Sequence, residues 1–404
     1  MTKVMKGIRV LELAEFGMVP TAAAVLSDWG ADVIKVEHAV RGDPTRGLVA
    51  MGIKPGNGGF SGIWEVFNRG KRSIGIDMQN EQGRQIVLDL AARADIVVTN
   101  FLPRTLRKLR LDVDDMRAVN PKIIYGRGSA HGPKGPDSER GGFDGLTYWL
   151  RSGAGHAATP AKSRELVTLP APAFGDIQTG LAFAGGLAAA LFHRERTGEP
   201  TTVDISLLGS GMWAMQASLF GANMNGEELP HSDRTAALSP LSNNYVCKDG
   251  RRVAISMLLG DKYWSNLCQL VGRPELADDP RFNSVAARAK NNIACINELD
   301  AVFAERTLAE WTDILKQQDG QWTPVKIVTE ANDDAQLWEC GYLQRVKYDD
   351  GRELTLVSTP VQFNTEPNEL RAAPEHGAHT EEVLLELGRD WDEIIALKDS
   401  GAIN

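Results

Sequence analysis

An α/β fold built on a parallel sheet is what this sequence predicts, and three observations carry the prediction. Strand-like runs rich in β-branched residues alternate with helical segments of about a dozen residues through the first 130 positions. Residues that start or stop helices, such as Pro20, Gly30 and the Asn120-Pro121 pair, fall between those runs. The tail of the chain, after a stretch of different character, returns to a strand followed by a helix.

The elements follow in order. Residues 8–13 (IRVLEL) read as the first strand. Residues 20–29 (PTAAAVLSDW) carry Ala and Leu at helical spacing, with Pro20 suited to the first turn and Gly30 placed to end the helix. Further strands are expected at 32–37 (DVIKVE), 73–78 (SIGIDM), 95–99 (DIVVT) and 122–126 (KIIYG), with a helix over 82–94. From 126 to 175 the chain is rich in Gly, Pro, Ser and Ala and nearly aperiodic, which marks functional loop or an exchanged segment. An apolar helix over 177–196 is closed by Thr197-Gly198-Glu199-Pro200, then come a strand at 201–206 and a buried helix near 207–223. Residues 224–240 read as a polar linker. Short strands and helices, among them 262–271 and 308–318, fill 243–325, and the tail gives a strand at 353–363 and a helix at 380–388.

Composition narrows the function. A chain of 404 residues carries a prior of two or three domains. With 43% hydrophobic and 24% charged residues it is globular rather than disordered. Its 44 Lys and Arg against 53 Asp and Glu give a net charge of −9, which disfavours broad binding to nucleic acid or an anionic membrane. The longest apolar run, Leu181 to Phe192, has 12 residues where a membrane span needs about 20. Glu12 and Glu15 interrupt the first apolar stretch, so no export signal is expected. Four cysteines without a CxxC pair offer neither a zinc site nor a disulfide framework, and a cytoplasmic location fits them best.

The first strand-to-helix turn, Glu15-Phe16-Gly17-Met18-Val19-Pro20, lacks the GxGxxG that lets a pyrophosphate approach, although Glu37 sits where a ribose-binding acid would; no nicotinamide is expected. The histidines form no HxH or HxxxH pair, His376 and His379 being three apart, so no metal is expected. Gly209-Ser210-Gly211 lacks the spacing of a nucleophile elbow. Asp176, in Phe174-Gly175-Asp176-Ile177, has two readings that stand together: a helix N-cap, or a nucleophilic carboxylate at a helix start. Two basic clusters, Arg69, Lys71 and Arg72, then Arg104, Arg107, Lys108 and Arg110, are either solvated faces or a grip on a phosphate-bearing ligand.

Several segments taken together resemble family III CoA-transferases, the group that holds formyl-CoA and carnitine CoA-transferases and the related 2-methylacyl-CoA racemases. They are Gly7-Ile8-Arg9-Val10-Leu11-Glu12-Leu13, Gly30-Ala31-Asp32-Val33-Ile34-Lys35-Val36-Glu37, Gly42-Asp43-Pro44-Thr45-Arg46, Asn68-Arg69-Gly70-Lys71-Arg72-Ser73-Ile74, Asp95-Ile96-Val97-Val98-Thr99-Asn100-Phe101, Ser358-Thr359-Pro360 and Glu375-His376-Gly377-Ala378-His379-Thr380. The resemblance implies a Rossmann-like large domain formed by both chain ends (1–223 and 331–404), a linker at 224–240, an inserted small α+β domain at 241–330, and an interlocked homodimer. It implies Asp176 as the nucleophile of an acyl-CoA:carboxylate CoA-transferase that passes through aspartyl anhydride and aspartyl-CoA thioester intermediates. CoA contacts carried over by position are Phe16, Gly17, His38, Arg72, Ile74, Asn100, Lys108 and Arg140. The partners implied are an acyl-CoA and a small carboxylic acid.

Departures from the family pattern shape the expectation further. Gly17 stands where formyl-CoA transferase has Gln, and the consecutive glycines of that enzyme have no counterpart near 235–262, which argues against formyl or oxalyl substrates. The racemases carry a His where this chain has Phe143 in Gly142-Phe143-Asp144, so one partner of an acid–base pair is missing; His131 is the substitute that the alternative, a racemase, would need. The segments 128–160 and 235–265, with Tyr148, Trp149, Tyr245 and Met257, are expected to shape an apolar acyl pocket.

Overall fold

Six apolar runs within the first 206 residues become the strands of one parallel sheet in the computed structural model, which describes residues 2–51, 61–228, 231, 233–348 and 350–404. The strands are β1 (Arg9–Leu13), β2 (Asp32–Glu37), β3 (Arg72–Gly75), β4 (Ile96–Thr99), β5 (Ile124–Ser129) and β6 (Thr202–Ser206), in the order β3-β2-β1-β4-β5-β6. Leu11 lies in register with Ile34 on one side and Val97 on the other, so β1 is central and the winding reverses between β1 and β4. Ligands of such sheets sit outside the carboxyl ends of the strands that flank this reversal.

The helices between them are α1 (Met18–Asp28), α2 (Gly62–Asn68), α3 (Glu81–Ala91), α4 (Pro103–Leu109), α5 (Val113–Val119), α6 (Ala154–Ala158) and α7 (Phe174–Thr197). After β6 come α8 (Leu207–Ala214) and α9 (Gln216–Asn225). Local chemistry sets their ends. Asn80 accepts the Gln82 N–H to start α3, Asp112 and Asp115 form a capping box on α5, and Gly30, at φ 103°, follows α1 where a side chain would be strained.

The remaining elements are β7 (Ser242–Val246), β8 (Arg252–Ser256), α10 (Gly260–Leu270), α11 (Val285–Lys290), α12 (Asn292–Phe303), α13 (Leu308–Leu315) and β9 (Trp322–Pro324). Then follow α14 (Ala335–Glu339), β10 (Leu343–Lys347), β11 (Glu353–Val357), α15 (Thr380–Glu386) and α16 (Trp391–Asp399). The chain divides into two compact units, residues 1–156, 167–228 and 335–404 in one, 157–166 and 229–334 in the other. In the larger unit, one face of the parallel sheet packs Val10, Val33 and Val98 against Ala22 and Ala23 of α1 and Phe183 and Leu187 of α7. The opposite face packs Ile34, Ile74 and Val97 against Ile86 and Val87 of α3 and Val383 and Leu384 of α15. In the smaller unit an antiparallel β7-β8-β9 sheet is covered by helices, with Tyr245 stacked on Phe303 at 5.1 Å.

A buried ionic cluster sits beneath the β1–β2–β3 side of the sheet. Lys35 Nζ lies 2.8 Å from both Glu12 and Asp43, and Lys71 Nζ lies 2.6 Å from the other oxygen of Glu12, all with fully or almost fully buried side chains. Glu37 accepts from the Arg46 guanidinium, the Ser73 hydroxyl and the Asp43 N–H, and Arg46 covers the Trp64 ring at 3.5 Å. Burial alone depresses the Lys35 ammonium, yet Asp43, Glu12 and Glu37 hold its pKa above the ordinary lysine value. Lys71 is equally buried but depends mainly on Glu12 and has Lys35 as a neighbour, and it is pulled down to about 8. The Glu37 carboxylate, placed by spacing where a ribose-binding acid would sit, is thus fully used by its own protein.

Several expectations need correction. The helix expected over 177–196 starts at Phe174, so Asp176 falls inside its first turn. The interval 126–175 is not structureless: β5 runs to Ser129, one π-helical turn spans Gly145–Leu150, and α6 follows. The single buried helix near 207–223 is two helices joined at Met215, and α9 buries none of its residues; Trp213 and Phe220 are 73% and 67% exposed. The strand expected over 353–363 stops at Val357, paired with β10, which the sequence did not suggest. Tyr245 and Met257, expected at an acyl pocket, belong to the core of the smaller unit, where the Tyr245 hydroxyl donates to the Pro240 carbonyl.

Candidate active site

A cleft of about 540 Å³ opens at the carboxyl ends of β1 and β4, where the winding reverses. Phe16, Gly17, His38, Asn100, Lys108 and Asp176 all line it. Asn100 does so as a clamp: its carbonyl accepts the Glu15 N–H at 3.1 Å and its amide donates to the Glu15 carbonyl at 2.5 Å. This ties the turn after β1 to the turn after β4 and fixes where α1 begins. Phe16 holds a left-handed φ of 63°, and the strained turn delivers Gly17 to the helix start.

Gly17 is glycine for space, not for backbone freedom, since its φ is −105°. A methyl group built there would lie 2.4 Å from Asp176 Oδ2. The start of α1 and the start of α7 therefore meet with nothing between glycine and carboxylate. Gly180, one turn further along α7, likewise brings α1 close, for a Cβ there would lie 2.7 Å from the Met18 carbonyl oxygen.

Asp176 is not the cap of its helix. The residue before α7, Ala173, is left-handed at φ 58° and supplies no side-chain cap. That work is done from 31 residues away by Asp144, whose Oδ2 accepts the Gly175 N–H at 3.0 Å while its Oδ1 accepts the Gly145 N–H at 2.8 Å. Gly175 permits the approach, since a Cβ there would meet Asp144 Cβ at 2.9 Å and the Tyr148 ring at 2.6 Å. No described residue donates a hydrogen bond to the Asp176 carboxylate. Burial, then the charge of Asp144, push the pKa of Asp176 up to about 7. A carboxyl raised by desolvation and a like charge, in a cleft, is the signature of a reactive group.

The cleft also carries groups that the sequence reading passed over. Arg41 lines it and, like Lys108, is exposed and forms no ion pair among the described residues. The loop that presents Arg41 is held by His38, whose Nδ1 accepts the Val40 N–H at 3.1 Å. The three-residue step from His38 to Arg41 was the available signal. Glu15 is also at the cleft, its pKa raised by burial and by Asp43 against the pull of Arg41 and Lys35.

Three expected contacts stand elsewhere. Arg72 is held at the sheet edge by Asp32 at 2.7 Å and by Glu382 and Glu386 of α15. Ile74 is 1% exposed in the core between sheet and α15. Arg140 is open to solvent and lies 3.8 Å from Asp137, although its neighbours Ser138 and Gly141 do line the cleft. His131, the substitute base of the racemase alternative, is outside the lining and has its Nδ1 engaged by Arg151 at 2.9 Å. A second cavity of about 620 Å³ shares Phe143 and runs along the π-helical turn; Trp149, one of the aromatics expected at an acyl pocket, lines it, whereas Tyr148 is packed in the core.

Comparison with known proteins fits this arrangement. The model of CoA-transferase family III matches residues 5–380, so the chain belongs to that family and is an enzyme of its class. It is 32% identical to an (R)-2-hydroxy-4-methylpentanoate CoA-transferase of Clostridioides difficile, over 99% of both chains. It is 29% identical to a cinnamoyl-CoA:phenyllactate CoA-transferase of Clostridium sporogenes, over 98% of this chain and 96% of the relative. Among solved structures, a CaiB/BaiF family protein from Brucella suis superposes with a TM-score of 0.83 at 28% identity, covering 96% of this chain and all of that one. Among the described residues, no helix is long and apolar enough to cross a membrane.

Proposed function

We propose that this enzyme moves CoA from an acyl-CoA donor to a carboxylic acid acceptor with Asp176 as its nucleophile. The observation that carries the reading is the state of that carboxylate: close against Gly17, bonded by no described donor, and made basic by burial and by Asp144. A carboxylate left without stabilising partners keeps the nucleophilicity that solvation would remove.

In the proposed cycle, an Asp176 oxygen attacks the thioester carbonyl, the C–S bond breaks and CoA thiolate leaves, giving an aspartyl acyl anhydride. The thiolate then attacks the aspartyl carbonyl, releasing the donor's carboxylate and leaving an aspartyl-CoA thioester. The acceptor carboxylate attacks that thioester, re-forming a mixed anhydride, and the freed thiolate attacks its acyl carbonyl to yield the new acyl-CoA and Asp176. Each step breaks one acyl bond and forms one, alternating C–S with C–O, and the oxidation states do not change, so no water or redox partner enters. Each attack gathers charge on an oxygen, and first-turn N–H groups of α1 and α7 are the donors nearest to hand. Arg41, Lys108 and His38 supply the polar grip for the CoA phosphates, with Phe16, Gly17 and Asn100 shaping the turn beneath them. Arg72, Ile74 and Arg140 are left out of this set because the cleft does not include them.

The test is intact-mass spectrometry after incubation with a panel of acyl-CoAs and a hydroxylamine quench. A hydroxamate at Asp176, absent in Asp176→Ala together with all but about one part in 10⁴ of the transfer rate, is the expected result. Exchange of the α-proton with solvent deuterium and no modification of Asp176 would overturn it in favour of the racemase.

The resemblance adds an interlocked homodimer and a small α+β domain inserted into the large one, and the cysteine usage adds a cytoplasmic location. Support for a second copy is the face of α8 and α9, where Trp213, Phe220 and Met224 stand exposed in one chain. The proposal expects a sedimenting mass of two chains, and Phe220→Glu to weaken the association.

A further inference from the structure

The cavity beyond Phe143 has no role in the CoA cleft, and its chemistry selects a substrate. It lies along the π-helical turn Gly145–Leu150 and the segment 168–173, with Leu146, Leu150 and Leu169 in its wall together with Trp149, Pro170 and Pro172. Phe143 lines both this cavity and the cleft that holds Asp176, and packs edge-to-face on Phe16 at 5.3 Å. Its lining also includes Asp144, which accepts the Gly175 N–H at the start of the Asp176 helix, and Ala173, which precedes that helix. An acyl group whose carbonyl stands at Asp176 therefore has an apolar space next to it, separated by one aromatic ring.

The lining decides what can occupy that space. Among the described residues it contains no Lys, Arg or His, and its one charged group is the Asp144 carboxylate, both of whose oxygens already accept backbone N–H bonds. A second carboxylate on the substrate would find no cation there and would face a like charge, whereas a branched alkyl or aryl group would exchange water for leucine, proline and tryptophan surface.

We infer that this cavity is the acyl subsite, and that the enzyme takes monocarboxylic substrates with an apolar branched or aromatic side chain rather than dicarboxylates. The inference rests on the proposed transfer at Asp176. Leu169 touches the space that a side chain at Gly145 would need, at 3.5 Å, so loop and π-helical turn define the width together. Leu146 is 61% exposed, which makes it a wall residue that can be changed without opening a core.

The experiment compares 4-methylpentanoyl-CoA and 3-phenylpropanoyl-CoA with succinyl-CoA and glutaryl-CoA, using acetyl-CoA as a small reference. It reads kcat/KM for CoA transfer and the mass of any adduct at Asp176, in the wild type and in Leu146→Arg. The expected result is a preference of about tenfold or more for the two apolar donors, reduced or reversed in Leu146→Arg. Equal or better use of the dicarboxylic donors, unchanged apolar preference in Leu146→Arg, or no transfer with either apolar donor would overturn the inference. Failure of the nucleophile reading shows separately, as turnover in the wild type with no modification of Asp176, and the donor ranking then still decides the subsite.

Discussion

Two groups of carboxylates lie in the larger unit, one buried throughout and one partly open, and they are built on opposite terms. Beneath β1, β2 and β3, Glu12 and Asp43 are met by Lys35 and Lys71 at 2.6 to 2.8 Å, and Glu37 is met by Arg46. At the start of α7, the charge of Asp144 acts on Asp176 with no described cation paired to either, and Asp144 takes the Gly175 N–H of the helix's first turn. The first cluster is compensated and out of reach of solvent. The second is left short of partners, beside a cleft. Where the fold spends cations it compensates its carboxylates, and where it withholds them it leaves the carboxylate that the proposed cycle uses as nucleophile.

The largest effect that separates the two is expected at Lys35. Lys35→Met strands Glu12 and Asp43 without their shared cation, and the loss of one partner from a buried pair costs about 3–5 kcal/mol. Urea unfolding of the purified variant checks it; a loss below about 1 kcal/mol would break the contrast, since the cluster would then not be structural. Gly17→Ala comes next. Its methyl must displace the Asp176 carboxylate, and a misplacement of that order costs about a hundredfold in kcat with little change in unfolding midpoint.

Asp144→Asn is the smallest and the sharpest. In the proposed cycle the attacking form of Asp176 is the anion, so in the wild type the acylation rate should rise with pH through about 7. Removing the Asp144 charge takes away the lesser of the two causes of that shift, so the limb should move to lower pH, though not to the ordinary aspartate value because burial remains. A single-turnover pH profile reads the shift. A limb that stays in place would make Asp144 a cap and nothing more. Stability runs the opposite way: with its folded pKa raised, Asp176 favours folding below about 4, and that contribution is lost as pH rises to about 7.

The sheet was legible because its strands are short apolar runs separated by helix starts and stops, and β2 matches the expected 32–37 residue for residue. Asp176 was legible only through the motif around it. Its spacing favoured a cap, and what removed the cap reading, Asp144, sits 31 positions before Gly175, with no periodicity linking the two. Arg72 misled for the same reason in reverse. A basic residue at a strand start looks free in sequence, and only the folding of α15 onto β3 supplies Glu382 and Glu386 to occupy it. The apolar helical character of 207–223 could be read from its composition, but not its break at Met215 or the exposure of α9, because an apolar helix reads alike whether its own chain or a second one covers it.

The close seating of α1 on α7 has a consequence for how such an enzyme can change over time. Gly17 and Gly180 fix the two helix starts so closely that neither position accepts even a methyl group without displacing its neighbour. The wall of the second cavity is drawn instead from exposed loop at 170–172 and from outward-facing Leu146. Natural variation can therefore redraw what is carried while the machinery that carries it stays under strict constraint. A lineage of such enzymes would diversify by editing its loops and inherit its helix seam unaltered.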